Sequence, residues 1–255
     1  MRLYQLLLYI ICITFLTNCE VKDIASDAQP IEHQLWNELL QEYVDQDGWV
    51  NYQGFIQDST KFNSYLDLLQ ANHPNEKNWT SSERLAYWIN AYNAFTIKLI
   101  VDNYPTASIK DIKSGIPFIN SVFDIKFINI EGIAYSLNNI EHGIIRPKFD
   151  QPLIHFAVNC ASYSCPKLSN KAFCPKTLDD QLKKAAKDFV NDPTKNTIGE
   201  NQLELSKILQ WYWLDFKDHY DSRIAFLNIY SEQTIKEDAK TTFKDYNWTL
   251  NERTN

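Results

Sequence analysis

The chain has 255 residues, and its 44% hydrophobic and 14% aromatic content is sufficient for a substantial buried core, which excludes a largely disordered protein. Its formal net charge of −7 at pH 7 argues against a nucleic-acid partner, because nucleic-acid binders normally carry a basic face. No linker or change of composition divides residues 31–255, which predicts a single α+β domain.

The amino terminus has the layout of a secretory signal. Arg2 precedes an apolar block at residues 6–16, and this block is too short to cross a membrane comfortably. The block ends in Leu-Thr-Asn-Cys, whose last residue is Cys19. This ending resembles the signal of a bacterial lipoprotein, in which the cysteine becomes the lipidated first residue of the mature protein.

Residues 1–18 are therefore predicted to be a lipoprotein signal peptide and Cys19 the lipidation site. Residues 19–30 are polar and are expected to form a short tether. The protein would then be attached to a membrane by its lipid, in the bacterial cell envelope, either in the periplasm or facing the surface. Asn18 departs from the usual small residue before the cysteine, so an ordinary cleaved signal and an uncleaved anchor are the alternatives.

The domain is predicted to begin with two amphipathic helices. Hydrophobic residues recur at helical spacing from residue 31 to 43, with Gly48 as a stop signal, and again from residue 62 to 69, ahead of Pro74. The segment between the two helices, at residues 49–52, is predicted to be extended.

The next helix is the best specified, because Thr80 and Glu83 form a T-x-x-E capping box. Residues 84–105 are apolar on nearly all sides, which predicts a buried central helix packed on a small sheet. Asn90 and Asn93 interrupt the apolar pattern on one face. A buried carboxamide needs hydrogen-bond partners, so these asparagines either tie down a loop or line a site.

The second half of the chain alternates short strands and helices. The sequence predicts a hairpin that turns at Glu131-Gly132, then a short helix closed by Pro147, and then a buried strand at residues 152–160. An amphipathic helix is predicted at residues 175–192. Residues 203–216 are predicted to form a strand followed by a helix that Ser206 caps. This order of elements again indicates a mixed α+β domain.

Three cysteines are left once Cys12 departs with the signal and Cys19 carries lipid. Cys160, Cys165 and Cys174 would lie in an oxidising compartment, where three thiols cannot all pair within one chain. Three interpretations of Cys160 and Cys165 remain open. One of the two could be a thiolate nucleophile, the two could form a disulfide or be inert buried thiols, or they could be metal ligands. Strand alternation favours Cys165 as the nucleophile, because it places Cys160 on the face opposite His155 and Asn159.

His142 is the first candidate for a general base. Arg146 follows one helical turn later, and an adjacent cation favours the neutral imidazole that a base requires. Glu141 could orient that imidazole, as in other thiol enzymes, or could cap the helix together with Asn138. Arg146 could hold a substrate carboxylate or satisfy carbonyl groups at the helix end.

His155 is the alternative base, or else a hydrogen-bonded core residue in an apolar segment. Asn90, Asn93 or Asn159 could donate to a developing oxyanion, and anchoring of the cysteine loop is the favoured alternative for Asn90 and Asn93. A zinc site made of His142, His155 and both cysteines has suitable ligand types, but the C-x4-C spacing is not that of a zinc knuckle. No metal and no cofactor is therefore expected.

Several motifs carry a resemblance to a known family. The segments "YWINAYNAF", "SLNNIEHGIIR" and "IHFAVNCASYSCPKL" occur in this order, with "LLQEYVDQDGWVNYQGF" before them and "YNWTLN" after them. Together they resemble the family known as domain of unknown function 547, over nearly the whole mature chain. That family typically has glycine after Asn-Cys, whereas this chain has Ala161, which argues against a positive φ there. The resemblance implies a fold and motif positions but no reaction.

The residues support two hypotheses of different classes. The first is an envelope-anchored, cysteine-dependent acyl-transfer enzyme or hydrolase that acts on an amide or ester, with papain-like or transglutaminase-like roles and a peptide or cell-envelope substrate. The second is a non-enzymatic binding or structural module of the envelope, stapled by a Cys160–Cys165 disulfide.

Overall fold

A computed structural model describes residues 26–113 and 121–253. Its α-helices are α1 (Gln34–Tyr43), α2 (Tyr52–Gln57), α3 (Ser59–Gln70), α4 (Ser81–Asp102), α5 (Arg146–Lys148), α6 (Leu178–Val190), α7 (Ile208–Trp211), α8 (Trp213–Phe216) and α9 (Arg223–Tyr230). Its strands are β1 (Ile128–Ile130), β2 (Ile133–Tyr135), β3 (Thr197–Ile198), β4 (Gln202–Leu205) and β5 (Lys240–Phe243). The predicted α+β class is confirmed.

Helix α4 is the buried centre of the domain. The Thr80 side chain accepts a hydrogen bond from the Glu83 amide, and Glu83 bonds back to the Thr80 amide, so the capping box is present. Nearly every residue between Leu85 and Ile100 is buried. The helix contacts α2 and α3, and α3 in turn contacts β1. The apolar pattern on all sides of α4 therefore correctly indicated its central position.

Two small sheets complete the fold. Strands β1 and β2 form the predicted hairpin, and its turn residues Glu131 and Gly132 both have positive φ, at 47° and 83°. Such a turn matches the twist of a two-stranded antiparallel ribbon. In the second sheet, β4 pairs with β3 antiparallel and with β5 in parallel.

The predicted strand at residues 152–160 is wrong. Pro152–Phe156 form a 3₁₀ helix, in which Gln151 accepts a hydrogen bond from the Leu153 amide, and an irregular segment follows. A short, fully buried apolar run has no periodicity that separates strand from helix, so the sequence pattern was ambiguous here. The strand-alternation argument that favoured Cys165 over Cys160 therefore lapses.

The helix around His142 is longer than predicted. Asn139–Ile145 form a π-helical segment that continues directly into α5, so the helical region passes through Pro147 and ends at Lys148. Pro147 is the second residue of α5 and lies within this continuous helical region. A π-helical segment is unusual and often occurs at functional sites.

Most of the predicted amino-terminal features lie outside the described residues, namely the signal peptide at 1–18, Cys19 and the first part of the tether. The rest of the predicted tether contacts the domain. The Ser26 hydroxyl donates to Glu131, and the Ala28 carbonyl accepts from Asn75 and from the Trp79 indole. Within the part of the chain that the structure describes, no helix is long and apolar enough to span a membrane.

Candidate functional site

Two asparagines of α4 hold the segments that form the site. The Asn90 amide donates to the Phe173 carbonyl at 2.8 Å and accepts from the Phe173 amide at 2.9 Å. The Asn93 amide donates to the Ala157 carbonyl at 2.9 Å and accepts from the Asn159 amide at 2.8 Å. Each side-chain amide therefore both donates to and accepts from backbone groups of another segment. In this way Asn90 holds the segment at Phe173, and Asn93 holds the segment from Ala157 to Asn159.

Asn159 fixes the loop that carries both cysteines. Its side chain donates to the Pro166 carbonyl at 2.7 Å and accepts from the Ala161 amide at 2.9 Å. Ala161 has a φ of 58°, so the expectation that alanine would avoid a positive φ here is wrong. The left-handed conformation costs an alanine about 1 kcal/mol, and the hydrogen bonds around it, including one from the Asn251 amide to its carbonyl, hold it in place.

The loop brings the two predicted cysteines together. The sulfurs of Cys160 and Cys165 are 2.8 Å apart as free thiols, and the Cys160 amide donates to the Cys165 sulfur. The Cys160 sulfur is also 3.1 Å from the Ser162 hydroxyl and 3.2 Å from the Tyr246 hydroxyl. Cys174 is exposed and remote from this group. Cys160 therefore lies among several hydroxyl and thiol donors.

These contacts give the two thiols opposite acidities. Burial alone raises the pKa of Cys160, but hydrogen bonds from Cys165, Ser162 and Tyr246 outweigh it and lower the pKa of Cys160 below its usual value. Burial raises the pKa of Cys165, and its hydrogen bond to Cys160 raises that pKa further. Cys160 is mostly buried with partial exposure, whereas Cys165 is fully buried. Of the two thiols, Cys160 thus has the lower pKa and the greater exposure, which are the features that favour thiol reactivity.

His142 is held by Arg146. A guanidinium nitrogen of Arg146 lies 2.9 Å from His142 Nδ1, and a guanidinium has only donors, so Nδ1 accepts and the imidazole is neutral. The neutral imidazole agrees with the sequence argument. The lone pair that a base would use is nevertheless already engaged, so His142 cannot take a proton at Nδ1 while Arg146 stays in place.

Asp215 joins the second histidine to the same arginine. His155 Nε2 donates to Asp215 Oδ2 at 2.7 Å, and Arg146 binds both oxygens of Asp215, at 2.6 and 2.7 Å. Partial burial acts to raise the pKa of Asp215, but its hydrogen bonds with His155 and Arg146 hold that pKa well below its usual range. The ionised carboxylate fixes the tautomer of His155 with its proton on Nε2.

The other nitrogen of His155 is free. Within the described residues, Nδ1 is buried and has no hydrogen-bond partner. Burial lowers the pKa of His155, although the hydrogen bond to Asp215 opposes that effect, so the ring is neutral at neutral pH. The ring of Tyr212 stacks on it with centroids 3.8 Å apart. His155 thus combines an oriented ring with an unused lone pair.

Glu141 neither orients His142 nor caps the helix. Glu141 Oε1 lies 3.8 Å from His142 Nδ1, beyond hydrogen-bond distance, and that nitrogen already accepts from Arg146. The side chains of Ser136 and Asn139 bond to each other's amides at this helix start instead. Glu141 is only 5% exposed, and its Oε1 has no hydrogen-bond partner in the described part of the chain.

One cleft of about 220 Å³ collects these groups. Among the residues that line it are Cys160, Cys165, His142, His155, Glu141 and Tyr246. Arg146 and the three asparagines Asn90, Asn93 and Asn159 lie outside its lining. No hydrogen bond joins either sulfur to an imidazole, and residues 26–113 and 121–253 contain no group of three or more potential ligands placed to hold a metal. The alternative zinc site is therefore not formed.

The family resemblance has been tested by comparison with known proteins. Residues 76–190 match the family described as "Protein of unknown function, DUF547". The predicted family is confirmed over these residues. Curated proteins and solved structures give no match to the chain, so the papain-like or transglutaminase-like comparison remains a prediction.

The DUF547 match includes most of the predicted site and omits part of the observed one. Both cysteines, both histidines and Glu141 lie within residues 76–190. Tyr212, Asp215 and Tyr246 lie beyond that segment, and neither Asp215 nor Tyr246 was predicted as a site residue. The only sequence signal for Asp215 was an acidic residue on an otherwise aromatic helix, and for Tyr246 its position in the closing "YNWTLN" segment.

Proposed function

We propose that this protein is a cysteine-dependent acyl-transfer enzyme or hydrolase that acts on an amide or ester. The observation that carries the proposal is the pairing, in one cleft, of an activated thiol at Cys160 with an unused, oriented imidazole nitrogen at His155. Nucleophile, base and a group that orients the base are the three parts that thiol-dependent acyl transfer requires.

Cys160 acts as the nucleophile. Three neighbouring donors favour its thiolate, and its partial exposure allows a substrate carbonyl to reach it. The proton that Cys160 releases is taken up at His155 Nδ1. The sulfur then bonds to the carbonyl carbon, and the electron pair of the carbonyl π bond moves to the oxygen.

His155 returns the proton to the leaving amine or alcohol as the tetrahedral intermediate collapses to an acyl-thioester on Cys160. Water or another acyl acceptor then gives a proton to His155 Nδ1 and attacks the thioester carbon. The second tetrahedral intermediate collapses with cleavage of the carbon–sulfur bond, the acyl product leaves, and His155 returns the proton to the Cys160 sulfur. Asp215 stabilises the imidazolium in both steps, and Arg146 keeps Asp215 in place.

Tyr246 is the group best placed to stabilise the oxyanion. Its hydroxyl lies 3.2 Å from the Cys160 sulfur and is free to turn from the thiolate to the carbonyl oxygen as charge moves there. Asn90 and Asn159, considered for this role from the sequence, have both ends of their amides bonded to protein. Their role in the proposal is to position the Cys160 loop.

The proposed location is the cell envelope, through lipid on Cys19, which makes a peptide or envelope component the proposed substrate. Changing Cys19 to serine is expected to move the protein from the membrane fraction to the soluble fraction. A variant that stays on the membrane after this change would refute the lipid anchor.

The disulfide module is the rival function, and the 2.8 Å approach of the two sulfurs favours it. Mass spectrometry of the protein isolated without reductant separates the two. A stable Cys160–Cys165 disulfide in the native protein, resistant to mild reductant, supports the module, whereas free thiols support the enzyme.

Thiol labelling tests the enzyme directly. In a Cys174→Ser background, iodoacetamide is expected to modify Cys160 at neutral pH much faster than Cys165, because only Cys160 is partly exposed and has a lowered pKa. The Cys160→Ser and Cys165→Ser variants assign the modified residue. If Cys160 in the folded, reduced protein reacts no faster than an unfolded-chain thiol, the proposal is wrong.

A further inference from the structure

Two buried acceptor atoms of the cleft have no donor. Glu141 Oε1 and His155 Nδ1 are both buried without a hydrogen-bond partner in the described residues, and both side chains line the cleft. A buried acceptor without a donor is costly and rare in proteins, so each such atom calls for an explanation. The proposed reaction uses His155 Nδ1, but it leaves Glu141 unexplained.

The Glu141 side chain has a hydrogen bond with Tyr212, but within the described residues it lacks a cation of its own. Arg146 is bound through two hydrogen bonds to Asp215, and the nearest ring nitrogen of His142 accepts a hydrogen bond from Arg146. Among the residues described, no lysine or arginine is within 4 Å of the Glu141 carboxylate. Glu141 Oε1 therefore needs a hydrogen-bond donor, and a positively charged donor would also compensate a buried carboxylate.

The remaining walls of the cleft suit a cation. The rings that line it include those of Tyr92, Trp211, Tyr246 and Trp248, and the ring centroids of Trp211 and Tyr246 are 4.9 Å apart. The faces of such rings attract ammonium groups. The exposed ammonium of Lys110 already lies 4.7 Å from the centroid of the Trp248 ring. Aromatic faces and a carboxylate whose Oε1 atom has no donor favour the same kind of ligand.

We propose that the cleft binds a primary ammonium group on a short alkyl chain. Glu141 Oε1 accepts a hydrogen bond from the ammonium, and the aromatic rings surround the chain and the charge. A volume of about 220 Å³ accommodates an aminoalkyl group, not a large ligand. His155 Nδ1 stays available for the reacting proton. If the proposed function holds, on which this consequence rests, the substrate is an amide or ester that carries an aminoalkyl chain beside the reacting carbonyl.

Binding of matched small probes tests the inference. Ligand-observed NMR titrations of the full chain under reducing conditions at pH 7.5 would compare n-pentylamine, which is protonated, with 1-pentanol, which has the same chain and no charge. We expect the amine to bind at least about tenfold more tightly than the alcohol. We expect the Glu141→Gln variant to bind the amine about tenfold more weakly than the unmodified protein does and to bind the alcohol with unchanged affinity.

Glu237→Gln is the matched control, because Glu237 is exposed and lies outside the cleft lining. This variant should bind the amine as the unmodified protein does. Equal affinity for amine and alcohol in the unmodified protein would overturn the inference, and so would amine binding that survives Glu141→Gln. The comparison of amine with alcohol in the unmodified protein tests the inference even if the Glu141→Gln variant fails to fold.

The binding test and the labelling test fail independently. Amine binding that depends on Glu141, together with an unreactive Cys160, would remove the enzyme and leave the ammonium site. A reactive Cys160 in a protein that does not discriminate amine from alcohol would leave the enzyme and remove the ammonium site.

Discussion

His155 and Asp215 form a hydrogen bond of 2.7 Å between Nε2 and Oδ2, across 60 residues of sequence. This contact decides which nitrogen of His155 carries the proton, because an ionised carboxylate accepts only from an N–H group. The other nitrogen, Nδ1, is thereby left as an acceptor on the wall of the cleft. The base of the proposed mechanism is thus defined by a residue outside the DUF547 match.

The Asp215→Asn substitution tests this relationship. The amide can donate to Nε2, so we expect the His155 proton to move to Nδ1 and the cleft to lose its base. The loss of the Arg146 pair should also lower the free energy of unfolding by about 2 kcal/mol, given its partial exposure. Nitrogen chemical shifts of His155 report the tautomer, and urea unfolding reports the stability. Asp218→Asn, an exposed neighbour on the same segment, should change neither.

Tyr246→Phe tests the activation of Cys160. The Tyr246 hydroxyl lowers the pKa of Cys160, so its removal should raise that pKa, and the pH midpoint of alkylation should move up by about one pH unit. Alkylation rates between pH 5 and pH 10 measure the effect. Tyr163→Phe is the control on the same loop, because its hydroxyl makes no contact with the sulfurs. A midpoint that is unchanged in Tyr246→Phe would contradict the activation.

Gly48 and Gly132 form a matched pair, since both have a φ of 83°. A methyl group at Gly132 meets nothing within 4 Å, so Gly132→Ala should cost only the conformational term of about 1 kcal/mol. A methyl group at Gly48 would lie 2.8 Å from the Leu168 amide nitrogen, just after the cysteine loop. Gly48→Ala should therefore cost about 3 kcal/mol. Similar midpoints of urea unfolding for the two variants would show that this close contact is absent.

Asn93→Ala tests whether α4 holds the loop. The substitution leaves the Ala157 carbonyl and the Asn159 amide buried without partners, which should reduce the free energy of unfolding by about 3 kcal/mol. Asn103→Ala is the comparison, because Asn103 bonds one carbonyl near the helix end and is exposed. It should cost less than about 1 kcal/mol. Equal losses in the two variants would argue that Asn93 has no special anchoring role.

His33 predicts a pH dependence of stability. Burial lowers its pKa from 6.5 to about 4, so the unfolded chain binds a proton between these values and the folded chain does not. The stabilisation is complete above pH 6.5 and is lost as pH falls toward 4, by about 3 kcal/mol in total. The free energy of unfolding, measured with urea, should fall less between pH 7.5 and pH 4.5 in the His33→Asn variant than in the unmodified protein. The same difference in both proteins would contradict this assignment.

The predictable part of the fold consists of elements whose signals are local. The Thr80–Glu83 box and the apolar sides of α4 specified a buried helix, and the Glu131-Gly132 turn specified a hairpin, because capping and turn geometry depend on neighbouring residues. The strand predicted at residues 152–160 was wrong because this segment lacks such a local signal. A buried apolar run carries no periodicity, so its conformation was decided by packing and by Pro152.

The sequence by itself determined the family, the α+β class, and the two segments that bring Cys160, Cys165, His142, His155 and Glu141 to one cleft. Tertiary structure alone decided the role of each group. The acidity of Cys160, the engagement of His142 and the free nitrogen of His155 depend on Tyr246, Arg146 and Asp215, two of which are 60 or more residues from the group they affect. Hydrogen bonds between such distant residues are set by how the elements pack, and no local pattern in the chain records them.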